Sequence, residues 1–559
     1  MPSRSFPLIQ TLPVPKGDEA WEARRMQILV DFIEKVPQEY YIPQHYVDNP
    51  PLNVTAIPRE CGILTSEELE ITEMYDAMGL ASAIAAGKYT SLAVATAFCK
   101  RAIVCDQISC CLTQWFPEKA FEQARALDEH FARTGKTVGP LHGVPVSIKQ
   151  HISIAGLPSD VGFVSTTVQD ENDSLMVSIL RKLGAVFYVK TNQPQSIMHL
   201  ETDSHFGRVL NPYNINLSAG GSSGGESALI ALRGSILGVG TDIGGSVRGP
   251  SGKVGIYGFK PTSYTLPMRD FINGGFVAEL NILCSTGPMC HSLRDMDLFM
   301  REVLGHKPYL NDPRVVPIPW TGLQTSVTAS PQTRLKVGIM MHDGVIQPQP
   351  PVYRALEWAK ERLQASSSVE LKPYSPYKSA EAIKMIRKMY WPDGGEIFRA
   401  SAEAAGEPIH MLTEWILKDA EKRDAAGITR DRVLRDAFRC AFAEDWTRQD
   451  VDVVLCPVYV GPAPAHDTSF YWNYTALWNL VDYPGLVFPT PIKAGAQGVE
   501  QYPDEGSKPW NDQDAYVRKL WRETNYEGAP IALQLVARKY HDNFLFGAAN
   551  TIKDVLELV

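Results

Sequence analysis

Three short segments carry residue types that acyl-transfer chemistry uses. They are Gly143-Val-Pro-Val-Ser-Ile-Lys149, Ser218-Ala-Gly-Gly-Ser-Ser-Gly-Gly-Glu226 and Gly240-Thr-Asp-Ile-Gly-Gly-Ser-Val-Arg248. Between them they offer serine hydroxyls, a lysine, and glycine turns whose backbone N–H groups can converge on a developing negative charge. Taken one at a time, each has a plainer reading. Glycine clusters mark turns that need positive φ, serines beside them cap helices, and a lone lysine at a strand end is a solvated charge. For residues 220–225 alone, a turn explains the composition better than a site does.

Familiar motifs can be tested against these segments. Gly220-Gly-Ser-Ser-Gly224 matches the G-x-S-x-G elbow, as does the frame one residue on, but that elbow needs a strand running into it. Asn211-Pro-Tyr-Asn-Ile-Asn-Leu-Ser218 instead reads as a polar loop with turn signals. A Walker loop fails on its spacing around Gly252-Lys253, and Gly238–Gly244 matches a dinucleotide loop only loosely.

Together, the three segments resemble the signature of the amidase signature family, the Ser–cis-Ser–Lys hydrolases. In that family a lysine ends a strand, a glycine–serine loop follows, and a second glycine-rich turn carries the nucleophile. Here Ser222 and Ser246 stand 24 residues apart, and Lys149 precedes Ser246 by 97. Asn211-Pro212, Ser218, residues 220–225 and residues 240–248 all agree with the pattern. The similarity continues through Pro484-Gly-Leu-Val-Phe-Pro489 and Gly528-Ala-Pro-Ile-Ala-Leu-Gln534. Cys61-Gly-Ile-Leu64, Phe98-Cys-Lys-Arg101 and Phe187-Tyr-Val-Lys190 look closest to the fungal acetamidase and general amidase branch.

The resemblance implies roles as well as a fold. Ser246 is then the nucleophile, and Ser222, on a cis peptide, relays a proton between Ser246 and Lys149. Lys149 works as a base only when neutral, which burial beside Val144, Val146 and Ile148 favours. Ile243, Gly244 and Gly245 supply the oxyanion hole, while Ser218, Ser223, Asp242 and Arg248 support the loops. Attack by Ser246 gives an acyl-enzyme, the amine or ammonia leaves, and water completes hydrolysis; the resemblance implies no metal and no organic cofactor. Met198, His199 and Glu201 belong to the implied substrate wall. Because His199-Leu-Glu-Thr-Asp-Ser-His205 is polar, a small or polar amide is expected rather than a lipid amide. Trp472, Tyr474, Trp478 and Tyr483 could line the pocket or fill the core. After the lysine, where the family often has aspartate, this chain has Gln150 and then His151. Glu226 opens a helix, where the dipole favours a carboxylate. Two other roles fit the same scaffold: an amidotransferase subunit supplying ammonia to a partner, and a non-catalytic amide-binding protein.

Several elements must position these residues. Val144, Val146 and Ile148 alternate with Pro145, Ser147 and Lys149, as in a strand with one buried face. Ser174 caps a helix ending at Gly184, residues 186–189 and 236–239 read as buried strands, and Gly220–Gly225 opens a helix closed by Gly234. This alternation predicts an α/β fold, and the resemblance implies a large mixed central sheet with helices on both faces. Residues 18–36 and 66–104 read as helical, with Ser91 as an N-cap, and 352–365 and 379–440 are mostly helical. Residues 335–341 and 451–456 read as strands of the same sheet, and 306–334 and 494–510 as surface loops. The expected organisation is an N-terminal helical extension, residues 1–65, followed by one catalytic domain, residues 66–559.

Composition narrows the partners. The 559 residues carry 54 Lys and Arg against 63 Asp and Glu, a net charge of −9, with no basic stripe of the kind that binds nucleic acid. No apolar run is long enough for a membrane span, and the first ten residues lack the apolar core of a secretory signal. Nine cysteines without a CxxC pair read as free thiols in a cytoplasmic protein. A small-molecule amide is the expected partner, and the resemblance allows a homodimer.

Overall fold

The computed structural model describes residues 6–271, 281–328, 334–504 and 506–558. Of the two stretches expected as loops, residues 329–333 and 505 lie outside the described residues. Eleven strands build one sheet: β1 (Leu112–Trp115), β2 (Pro145–Lys149), β3 (Val186–Thr191), β4 (Leu237–Asp242), β5 (Tyr257–Lys260), β6 (Ser285–Cys290), β7 (Leu335–Ile339), β8 (Val369–Pro373), β9 (Val453–Pro457), β10 (Gly485–Lys493) and β11 (Pro530–Val536). Their spatial order is β1-β3-β2-β4-β6-β5-β10-β11-β9-β7-β8. The sheet is mixed. β3, β2 and β4 are mutually parallel, as are β9, β7 and β8, and the other pairings are antiparallel.

The inner strands are covered on both faces. Every residue of β2, β3, β4, β6, β9 and β11 is buried; for β2, β3, β4 and β9, which have parallel neighbours, this is the condition that βαβ crossovers impose. For β2 this departs from the half-exposed strand that its alternation predicts. Its polar positions find partners inside: the Ser147 hydroxyl reaches Glu226 and Ser235, and Lys149 reaches Ser222 and Thr241.

Local signals set most helix starts. Asp18 caps the helix Glu19–Ile33, and Ser174 caps Leu175–Lys182, each accepting a backbone N–H from its first turn. Residues 66–104 are helical as expected, in three pieces: Ser66–Glu73, Ala77–Ala85 and the start of Ser91–Ser109. The cap of the third is Thr90, not Ser91, because Thr90 Oγ1 takes the Ala93 N–H while Asp128 takes that of Ser91. Residues before 66 hold mostly short helices, and Ile9, Val36, Ile42, Val54 and Ile57 bury into the same apolar cluster as Phe98, Val146 and Leu237. A short strand, Asn214–Ser218, does run toward the Gly220 loop where a polar loop was expected. It pairs with Leu210–Asn211 in a two-stranded ribbon apart from the central sheet, and Leu217 bridges to Ala465.

Candidate active site

Because β3, β2 and β4 run parallel, their carboxyl ends open on the same edge of the sheet, where ligands of α/β proteins bind. Their last residues are Thr191, Lys149 and Asp242. Lys149 is fully buried, with its Nζ 2.6 Å from Ser222 Oγ and 3.2 Å from Thr241 Oγ1. Burial pulls this lysine down to about 7, against the opposing influence of Cys284, Asp242 and Glu226. A lysine so placed is partly neutral at physiological pH and can accept a proton.

Ser222 follows a cis peptide bond, Gly221–Ser222. Gly221 is required by packing, since a Cβ there would lie 2.4 Å from the Glu201 carbonyl oxygen and 2.6 Å from that of His199. The N–H of Ser223 donates to the Ser246 carbonyl at 3.1 Å, which ties the two serine loops together. The Ser223 hydroxyl, expected to hydrogen-bond, is buried without a partner among the described residues. Ser218 accepts the Gly220 N–H at 3.0 Å and donates its own N–H to Pro464.

The turn before Ser246 is held from two sides. Asp242 accepts the Gly245 N–H at 2.9 Å and the Val247 N–H at 3.2 Å, and receives Arg248 through Nε and Nη2, both at 3.0 Å. Burial would push Asp242 up, but the Arg248 guanidinium outweighs it and keeps the carboxylate far below its ordinary range. Arg248 also donates to Asn479 Oδ1 at 2.6 Å. From the other side, Tyr390 donates to the Ile243 carbonyl at 3.0 Å and Thr475 to the Gly244 carbonyl at 2.7 Å. Of the three residues expected to form the oxyanion hole, Gly245 therefore has its N–H already committed to Asp242. Trp472 stacks on Tyr390, ring centroids 5.9 Å apart, and its edge lies 3.0 Å from the Cβ position of Gly244.

The expected substrate wall is organised differently from the triad loops. Met198 is buried in the apolar cluster that holds Tyr390 and Trp472. His199 and Glu201 brace Gly221 through their carbonyls, while their side chains bond elsewhere. Glu201 accepts the N–H groups of Asp467, Thr468 and Ser469 at 2.9–3.1 Å, and His199 Nε2 faces Thr413. Asp203 pairs with Arg208 at 3.0 Å and with His410 at 3.1 Å. The polarity of residues 199–203 is thus spent on internal contacts. Tyr474, Trp478 and Tyr483 are buried in the core. Glu226 does open a helix, Gly224–Ala231, yet it is fully buried, accepts from Ser147 and Thr191, and is pushed by burial up to about 8. Sequence reasoning did not find Thr241, Tyr390, Thr475 or Asn479 as site residues. The first sits inside a quoted motif, and the others arrive from distant segments with no local signal.

A cavity of about 290 Å³ is lined by Tyr459, Val460, Phe470, Tyr471, Tyr516 and Val517 among others, and by none of Lys149, Ser222 or Ser246. All nine cysteines are free, and Cys284 near Lys149 is pushed by burial up to about 12. Among the described residues no three His, Cys, Asp or Glu side chains are arranged to hold a metal, and no helix is long and apolar enough to cross a membrane.

The chain is similar to known proteins along most of its length. The Amidase family model matches residues 93–546. A Schizosaccharomyces pombe protein with a provisional amidase name is 42% identical over 90% of this chain and 94% of its own length. An acetamidase of Emericella nidulans is 32% identical over 96% of this chain and 98% of its own. The solved structure of a fatty acid amide hydrolase superposes with a TM-score of 0.87 at 31% identity, covering 97% of this chain and 96% of the other. With its mixed sheet, its paired serine loops and its buried lysine, the chain belongs to the amidase family, the hydrolases of carboxylic amide bonds.

Proposed function

We propose that Ser246 is the nucleophile, Ser222 the proton relay and Lys149 the base. The observation that carries this reading is the buried, part-neutral Lys149 Nζ 2.6 Å from Ser222 Oγ. Ser222 passes its proton to neutral Lys149 and takes the proton of Ser246, whose oxygen attacks the amide carbon. The backbone N–H groups of Ile243 and Gly244 stabilise the oxyanion. The tetrahedral adduct collapses as the lysine proton returns through Ser222 to the leaving nitrogen, releasing ammonia or an amine. Water then attacks the acyl-enzyme by the same route, giving the acid and free Ser246. Ser218, Ser223, Asp242 and Arg248 hold the loops. The test is reaction with a fluorophosphonate probe and hydrolysis of p-nitroacetanilide. Both are expected to vanish in Ser246→Ala and Lys149→Ala, and wild-type turnover by soluble Ser246→Ala would refute the assignment.

For the substrate, we propose an amide with a small acyl group. Tyr390, Trp472 and Thr475 pack closely over Gly244 and Gly245, and a 32% identical relative is named acetamidase. The polar stretch 199–205 does not support a polar substrate, given its internal contacts. One observation favours a second reading, a longer apolar acyl chain: the aromatic cavity includes Phe470 and Tyr471, next to Trp472. Relative kcat/KM on acetamide, acetanilide and oleamide separates the two, with the acetyl amides expected to lead. Nine free thiols, several buried close together, support a reducing compartment, the cytoplasm. Thiol counting in freshly lysed cells, with all nine expected reduced, checks this.

A further inference from the structure

His151 occupies a position that the chemistry above does not use, yet it is wired to the base. It is fully enclosed, its ring edge-on to Phe271 with centroids 6.2 Å apart. Its Nδ1 lies 2.7 Å from Gln193 Oε1. The Gln193 amide cannot be turned round, because its Nε2 donates to the Asp160 carbonyl at 2.8 Å. Oε1 is therefore the atom that faces His151, and Nδ1 must carry the proton. That fixes Nε2 as the acceptor in the neutral ring. Its neighbour, at 3.3 Å, is Thr241 Oγ1. The threonine hydroxyl thus points its proton at His151 and presents only lone pairs to Lys149 Nζ, 3.2 Å away.

A neutral lysine has two N–H bonds and one lone pair. If Thr241 could donate, it would occupy that lone pair and leave Lys149 facing Ser222 with an N–H, the wrong polarity for a base. Held as an acceptor, Thr241 takes one N–H and leaves the lone pair free to face Ser222. From the Asp160 carbonyl back to Lys149, each donor points the same way: Gln193 to Asp160, His151 to Gln193, Thr241 to His151, Lys149 to Thr241.

We propose that His151 is a positioning residue that fixes the proton polarity of Thr241 and so turns the lone pair of Lys149 toward Ser222. The proposal rests on the Lys149 base reading. Burial and the nearby Lys149 and Lys190 keep His151 neutral by lowering its pKa well below the usual value, as this role requires. The other charged or titratable groups facing Lys149 are Asp242, Glu226 and Cys284, and none of them reaches Thr241 in a hydrogen bond.

The test compares His151→Gln, whose side-chain oxygen falls where Nε2 was, with His151→Asn, which reaches Gln193 but falls short of Thr241. Turnover of p-nitroacetanilide is followed against pH. His151→Gln is expected within about threefold of wild type and His151→Asn about 10- to 100-fold lower in kcat/KM. In His151→Asn the acid limb moves to lower pH, because a threonine freed to donate favours neutral lysine. Simple loosening of the core would hydrate Lys149 and move the limb to higher pH. An unmoved limb, or one moved upward, overturns the proposal. Should His151→Asn fold poorly, Thr241→Val carries the question: the losses from His151→Ala and Thr241→Val should not add in the double variant, and an additive loss overturns the proposal. Wild-type turnover by Lys149→Ala would instead sink the base reading itself, so the two failures are distinguishable.

Discussion

Asp242 and Arg248 meet in a two-point ion pair with both side chains fully shielded from water. The same carboxylate caps Gly245 and Val247, so one group both neutralises the arginine and shapes the turn that presents Ser246. Arg248→Lys cannot reproduce the fork or the simultaneous bond to Asn479. Disturbing a buried pair in this way costs roughly 3–5 kcal/mol. Thermal unfolding of Arg248→Lys should show a markedly lower Tm, and residual soluble protein should turn over more slowly; an unchanged Tm would contradict this account.

Lys149 gives a pH signature in stability as well as in rate. Its folded value of about 7 lies below the ordinary 10.5, so the unfolded chain binds more protons between those limits. Stability therefore rises with pH across that window, and at pH 7 the buried lysine costs the fold on the order of 4 kcal/mol at most. Lys149→Met should abolish hydrolysis while raising Tm, and the gain should be larger at pH 7 than at pH 10. The rate of the native enzyme should climb through an acid limb near pH 7. Equal Tm gains at both pH values would count against a depressed lysine.

Gly245 has φ of +131°, and a Cβ there would lie 2.2 Å from Thr475 Oγ1. Gly245→Ala must displace either the turn or the threonine that holds the Gly244 carbonyl. A loss of about 10²–10³ in kcat is expected, the scale of a misplaced oxyanion donor. Steady-state kinetics on folded Gly245→Ala settles the matter, and a loss smaller than about threefold would show that the turn has slack.

Glu201 clamps the loop at residues 467–469 by three backbone hydrogen bonds. Glu201→Ala should destabilise the protein by about 1–3 kcal/mol for the stranded donors. KM should move by a common factor across acetyl, aryl and long-chain amides. A KM change confined to one substrate class, with Tm intact, would instead mark Glu201 as a substrate contact.

What could be read in advance followed from how local each signal is. The lysine strand, the serine loops and the helix cap at Ser174 are encoded within a few residues, and their types and spacing were enough. The partners that close the site were not. Asn479 and Gln534 reach Arg248 from 231 and 286 residues away, and no periodicity announces such a meeting. At 199–203 the sequence shows polarity but not its partners: Glu201 accepts three backbone N–H groups, and Asp203 pairs with Arg208 and His410. Alternation misled at β2, where the Ser147 position reads as exposed but is fully buried. Glu226 shows the same limit: its place at a helix start was legible, its burial against Ser147 and Thr191 was not.

The sheet order has a consequence for how this molecule comes into being. The serines and the lysine are all synthesised before residue 250, but the strands that pack beside their half of the sheet, β10 and β11, are among the last segments made. Arg248, Gly244 and Gly245 lack their distant braces until Asn479, Thr475 and Gln534 emerge. A nascent chain paused anywhere earlier carries its reactive groups without the scaffold that aims them. Such non-local closure is slow, and it exposes unfinished strand edges on the way. Competence should therefore switch on late and all at once, rather than grow with chain length.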